Sequence, residues 1–295
     1  MKILCIGNTS YDITIPVEEF PIENKKIRLK DKLVECGGGS ASTGAILLSK
    51  WNIDTFIAST IGNDFYGEQI KKEYLEAGVN TKFLQTKDIK TTTSFIITNV
   101  TSGTRTILTS KDENLTYDRN IDLDFDYILV DGEHMETAYD TIIKRPSSKV
   151  LIDAGRVNDN ILKLCTVSDY IVCSNDFAKD YTNIDFEYSD YDTLKIVYDQ
   201  IQKDFKGIVI ITLESYGSMI KINNEYKIIP SIKVKAIDST GAGDIYHASL
   251  LYFISQGMEI TSAMRYANIT GAISTTRLGG RNSIPSLEEV LAYVK

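Results

Sequence analysis

Apolar and polar positions follow two rhythms along this chain. KILCIG (residues 2–7) is a short apolar run ending in glycine, the pattern of a buried strand. YDITIPVEEFP (11–21) and KKIRLKDKLVEC (25–36) alternate apolar with polar residues, as half-exposed strands do. GGGSASTGAILLSKW (37–51) then passes from glycines through small residues into a helical pattern. DTFIASTIG (54–62) reads as a strand and FYGEQIKKEYLEAG (65–78) as an amphipathic helix. On that helix Ile70, Tyr74 and Leu75 are expected on one face, with Gly78 as the stop. TTTSFIITNV (91–100) and TRTILTS (104–110), separated by TSG, predict a hairpin rich in β-branched residues.

From Tyr127 the rhythm changes. YILVDG, KVLIDAG, YIVCSN and GIVIITLE are short, Ile/Val-rich and continuously apolar, and helical patterns such as YDTLKIVYDQIQKDF (191–205) lie between some of them. Apolar strands alternating with helices predict a parallel sheet covered on both faces. The alternating segments near residues 13–35 and 91–109 do not fit that sheet, and are expected to form a small second sheet projecting from it as a lid. No repeat or linker-like tract divides the 295 residues, which are read as a single α/β domain.

Composition narrows the partners. The formal net charge of −8 argues against broad binding to nucleic acid or an anionic membrane. Cys5, Cys36, Cys165 and Cys173 form no CxxC pair, and with only His134 and His247 beside them a Cys/His zinc site is not expected. The start MKILCIGNTSYD turns polar too soon for a signal peptide, and no apolar run reaches the roughly 18 residues of a membrane span. A cytoplasmic protein is expected.

The chemistry concentrates in DSTGAGD, Asp238–Asp244. The chain has no GxxxxGK[ST], no GxGxxG after its first strand, and no HRD or DFG. One reading of DSTGAGD is an ordinary strand-to-helix turn with an aspartate cap. The other is an anion hole: glycines let backbone amides approach a ligand, and a helix N-terminus favours negative charge. An aspartate at its edge can accept a hydroxyl proton while the hole holds a phosphoryl group. On the residues alone both readings stay open.

IDSTGAGDIYHASLL closely resembles the DTxGAGD signature of the PfkB/ribokinase family of sugar kinases. GGGSASTGA resembles that family's N-terminal glycine motif, IGNDFYGEQIKKEYLEAGVNT the segment after it, ITLESYG the nucleotide loop and RLGGRNSIP the C-terminal segment. The resemblance implies a ribokinase-like three-layer α/β/α fold with a mainly parallel central sheet and a β-sheet lid that mediates homodimerisation. It implies ATP and Mg2+ as cofactors and a small sugar as substrate. Asp244 would be the catalytic base, with Gly241, Ala242 and Gly243 supplying anion-hole amides and Arg105, which resembles the lid arginine of ketohexokinase-like members, reaching the transferring group. Asp12, Gly38, Gly39 and Thr43 would bind the sugar. Asn175, Thr212, Glu214, Gly217, Asn268 and Gly271 would border the nucleotide. Asp238, Thr240 and Ser283 match the K+ loop of ribokinase-like members. Kinases of nucleosides or vitamin alcohols share the fold, and a sugar- or nucleotide-binding regulator without catalysis is the alternative of another class.

Three departures bear on the substrate and the metal. Thr43 stands where many members carry Asn, losing a bifunctional amide. Sulfofructose-kinase-like members share this Thr and the lysine that Lys26 matches, a residue they direct at an anionic substrate end. They carry Arg where this chain has Glu133, and a carboxylate there repels an anion. The expected substrate is therefore a neutral or amine-bearing ketose or related polyol. Finally, the family's NxxE motif appears as NDFA: Asn175 is kept, Ala178 replaces Glu, and Asp176 is the residue that would compensate.

Overall fold

In the computed structural model, which describes residues 1–293, the first strand divides its side chains between two cores. Within β1 (Lys2–Ile6), Ile3 and Cys5 join one apolar cluster, while Leu4 and Ile6 join another. That is the two-residue period of a strand buried on both faces.

β1 is followed by β2 (Ser10–Val17), β3 (Val34–Gly38), α1 (Ser40–Lys50), β4 (Asp54–Gly62), α2 (Phe65–Ala77) and β5 (Leu84–Lys87). A hairpin of β6 (Thr93–Asn99) and β7 (Arg105–Ser110) comes next. The chain then runs β8 (Tyr127–Val130), α3 (Met135–Ile143), β9 (Lys149–Ala154), α4 (Asp159–Cys165), β10 (Tyr170–Cys173), α5 (Asn175–Thr182), α6 (Tyr191–Asp204) and β11 (Ile208–Thr212). β12 (Ser218–Ile222), β13 (Glu225–Ile229), α7 (Ala242–Ser255), α8 (Ile260–Ser274) and α9 (Leu287–Ala292) complete it.

The large sheet has nine strands in the order β13-β12-β11-β10-β9-β8-β1-β4-β5. It is parallel except where β12 pairs β11 and β13. Helices α1, α2, α7 and α8 pack on one face and α3 to α6 on the other, giving the expected three layers. The small sheet, order β3-β2-β6-β7, stands apart from it.

Three local expectations need correction. Lys25–Leu33 forms no strand, and only Val34–Gly38 pairs with β2. The alternation there has no face to bury: Ile27, Leu29 and Leu33 remain 50%, 36% and 46% exposed. β2 is buried along most of its length rather than half-exposed, because it lies inside the small sheet with Tyr11 stacked 4.6 Å from Tyr66 of α2. On α2, Leu75 is 60% exposed while Ile70 and Tyr74 are fully buried. At 3.6 residues per turn, Leu75 falls well away from the line joining the other two.

Candidate active site

Chain direction creates the cleft. β1 leads to β4 and β5 on one side, while β8 to β11 extend the sheet on the other. The crevice at the carboxyl ends of strands where the order reverses is the natural ligand site of an open α/β sheet. A cleft of about 800 Å3 lies there, lined by Asn8, Ser40, Asp131 and Asp153 and bordered by Lys111 and Glu133.

Asp131 ties this rim together. Its Oδ2 accepts the amides of Asn8 at 2.8 Å and Ala41 at 3.0 Å, and its Oδ1 accepts that of Glu133 at 3.0 Å. The carboxylate therefore caps α1, which has no side-chain cap of its own. Burial pushes its pKa up to about 7 despite these donors.

The GAGD segment begins α7 at the cleft. Residues 230–241 form no strand, so the strand-to-helix turn reading does not describe this segment. Gly241 is the N-cap in the left-handed region, φ 73°, and no side chain caps the helix. A Cβ on Gly241 would lie 3.1 Å from Gly280, so the turn packs backbone to backbone on the RLGGRNSIP segment. Gly243 differs, since a Cβ there would meet nothing nearer than His247 at 3.9 Å. The chain's own packing does not demand glycine at this position, whereas a group approaching the amides would. Asp244, in the first turn of α7, is partly buried. Burial and then the Asp153 charge raise its pKa to about 6, against opposing effects of His247 and Ser40. The arrangement places uncapped helix N-terminal amides beside a carboxylate that is ionised at neutral pH.

Asp12 approaches from β2. It is 7% exposed, and its Oδ1 accepts the Ser10 hydroxyl at 2.8 Å. A Cβ on Gly38 would fall 2.0 Å from Asp12 Oδ2, so the second glycine of GGG makes room for this carboxylate. Gly39, φ 91°, is the N-cap of α1, and Thr43 is buried one turn later. Behind them lies Arg281, 3% exposed, whose Nη1 donates to Glu73 Oε2 at 2.6 Å and Nη2 to Gly38 O at 3.3 Å and to Ser42 Oγ. Burial raises the Asp12 pKa, and Ser10 and Arg281 act against that rise.

A match to the family model described as pfkB family carbohydrate kinase covers residues 1–287. The chain belongs to the pfkB family of carbohydrate kinases. The expected family and enzyme class are thereby met. Among curated proteins it is similar to the ribokinase of Staphylococcus aureus, 24% identical over 98% of each chain. Among solved structures it is similar to a candidate ribokinase of Agrobacterium tumefaciens, with 21% identity, TM-score 0.88 and coverage of 99% of this chain and 96% of that one. It is also similar to Arabidopsis thaliana ribokinase complexed with ribose and ATP, with 19% identity, TM-score 0.79 and coverage of 100% and 98%. These likenesses confirm the ribokinase-like fold.

Other residues expected in this pfkB protein's site are brought together unevenly. Arg105, the first residue of β7, donates from Nη1 to Ser239 Oγ at 2.6 Å, and so reaches the loop entering GAGD. Glu133 is ion-paired with Lys111 at 2.5 Å on the cleft rim. Lys26 lies in the exposed segment between β2 and β3.

On the other side of GAGD, Thr212 ends β11 and donates to Cys173 O at 3.2 Å. Glu214 (φ 49°) and Gly217 (φ 109°) bound a short 3-10 turn, where a Cβ on Gly217 would overlap Ile229 O. Asn268 donates from Nδ2 to Ile229 O at 2.8 Å, and Gly271 lets α8 approach Ala242 O. Asn175 opens α5 with its side-chain oxygen buried and without a partner among the described residues. Ala178 is fully buried in the core, and Asp176 pairs with Arg156 at 3.3 Å.

In the expected cation loop, Asp238 accepts the amides of Thr240 at 2.9 Å and Gly279 at 2.8 Å. Ser283 donates to Gly280 O at 2.6 Å, while the buried Thr240 hydroxyl has no partner among the described residues. Asp238 thus clamps GAGD to the C-terminal segment whether or not an ion is held. Among the described residues, no cluster of three or more His, Cys, Asp or Glu could hold a metal ion.

Sequence reasoning missed Asp153, His247, Arg281 and Asp131. Arg281 was within reach, since it lies inside the quoted RLGGRNSIP. Asp153 carried no local signal: its partner Ser40 is 113 residues away.

Proposed function

We propose that this protein transfers the γ-phosphoryl group of ATP to a hydroxyl of a small neutral sugar, a ketose or related polyol. The observation that carries the reading is the bare α7 N-terminus, with Gly243 free of steric demand, beside the partly buried Asp244. Asp244 takes the hydroxyl proton, and the amides that follow Gly241 stabilise the charge on the transferring group. Asp12, seated against Gly38, accepts from substrate hydroxyls, and Arg105 adds a positive group where it meets Ser239. ATP with Mg2+, when bound, supplies the phosphoryl group and neutralises its charge. Thr212, Glu214 and Gly217 border the nucleotide, and the orphaned Asn175 oxygen suits a magnesium-bound water. The unpartnered Thr240 hydroxyl and Asp238 are the donors available to a K+ ion.

The Lys111–Glu133 pair favours a neutral substrate, because each charge at that end of the cleft is already matched. The small sheet supplies a lid that excludes water from the transfer. Its last strand, β7, is exposed throughout, and Phe95 and Leu108, paired across β6 and β7 on one face, are 41% and 58% exposed. A second copy of the chain would cover this apolar face. The four free cysteines are all buried and, among the described residues, no helix is long and apolar enough to cross a membrane, in keeping with work in the cytoplasm. The test is ATP turnover against ketoses, pentoses, aminosugars, nucleosides and vitamin alcohols. A phosphorylated neutral sugar supports the proposal. A nucleoside or vitamin product moves the substrate elsewhere, and no product from any acceptor despite ATP binding leaves a regulatory protein.

A further inference from the structure

His247 follows Asp244 by three positions on α7, so the two side chains leave the same face of the helix. The ring is 5% exposed, and Nδ1 lies 3.3 Å from Asp153 Oδ2. Asp153, near the carboxyl end of β9, also accepts the Ser40 hydroxyl. The imidazole Cε1 comes within 3.9 Å of where a Gly243 side chain would begin, which places the ring beside the first turn of α7. Among the described residues, neither ring nitrogen has an aligned hydrogen-bond partner. The acidic side chains around it give a reason for a histidine here. An apolar residue would leave the Asp153 and Asp244 carboxylates facing each other through a poorly screened interior, each opposing ionisation of the other.

The neighbouring groups are almost all acidic. Asp153 and Asp12 act directly on Asp244, and Asp131 and Cys173 stand beyond Asp153, while Arg281 acts on Asp12 at the substrate side. Burial by itself lowers the pKa of His247, yet Asp153 and then Asp244 outweigh it and the net direction is upward. Reciprocally, His247 draws Asp153 below the ordinary carboxylate range against the effect of burial.

We propose that His247 is a positioning residue for phosphoryl transfer, held as an imidazolium between Asp153 and Asp244. Its charge keeps Asp244 ionised while an anionic phosphate donor approaches, a donor that would otherwise favour the protonated acid. This rests on the reading of Asp244 as the base.

The chain has only two histidines, and burial depresses His134 to about 4, so a 15N-histidine NMR titration separates them without any variant. The expected result is one imidazolium and one neutral ring at neutral pH, the imidazolium signal disappearing in His247→Asn. In Asp153→Asn the His247 midpoint should fall by about one pH unit or more. In His247→Asn the acid limb of kcat should move up by about one pH unit, with rate regained toward alkaline pH and the KM for ATP unchanged. A neutral His247 throughout the neutral range, in a protein that Asp244→Asn inactivates, overturns this role alone. The same holds for a folded His247→Asn with an unshifted acid limb. Full turnover by Asp244→Asn removes the base assignment, and this role with it, whatever the spectrum shows.

Discussion

Gly38 and Asp12 are mutually dependent: a methyl group at Gly38 would sit 2.0 Å from the Asp12 carboxylate. Gly38→Ala must therefore swing Asp12 out of the position in which it can meet substrate hydroxyls. The expected consequence is a loss of about 100-fold in kcat/KM for the sugar, with ATP affinity retained. An unchanged sugar KM in Gly38→Ala would remove Asp12 from the binding site.

Turnover should fall as pH drops through about 6, the value to which burial and Asp153 raise Asp244. The sign follows from the role: a base must be ionised, so activity is present above that pKa and is lost below it. A pH profile of kcat/KM for the sugar, which follows ionisations of the free enzyme, checks this. A rate that rises on acidification would assign the limiting group to an acid instead.

Arg281 joins Glu73, Ser42 and the Gly38 carbonyl at a buried position. Arg281→Met strands these acceptors and should destabilise the fold by about 2–4 kcal/mol, read from urea denaturation. It should also weaken sugar binding, since Arg281 favours the ionised form of Asp12. A variant as stable as the parent would show that the guanidinium contributes no net support.

Glu133→Gln would release Lys111 from its 2.5 Å ion pair and leave a free cation on the cleft rim. Sugars with an anionic end should then gain at least about tenfold in kcat/KM relative to neutral ones. Equal selectivity before and after the exchange would place the Lys111–Glu133 pair outside the specificity site.

Replacing Phe95 and Leu108 with serine should convert a dimer to a monomer in sedimentation equilibrium, because the two residues pair across β6 and β7 on the same exposed face. A monomeric parent protein would contradict the proposed dimer.

The parts legible in the sequence were those governed by local rules. Continuous apolar runs from Tyr127 onward gave the parallel half of the sheet, and β-branched alternation gave the β6–β7 hairpin. GAGD could be read because its glycines and acid are consecutive. Lys25–Leu33 misled, since alternation predicts a strand only where one face finds a partner, and this segment is exposed on all sides. The Asp153–His247 pair was invisible for the opposite reason. A buried charge pair is made by strand order, with β9 brought beneath α7, and neither residue's neighbours in sequence carry a trace of it.

The central claim is that Asp244 removes the proton from the acceptor hydroxyl. Asp244→Asn keeps the shape of the site and removes the base. Sugar phosphate formation should be compared in the two proteins at saturating ATP and sugar, with ATP binding measured beside it. The prediction is a fall of about 10²–10⁴-fold in kcat with ATP affinity unchanged. Equal turnover by the variant would contradict the account.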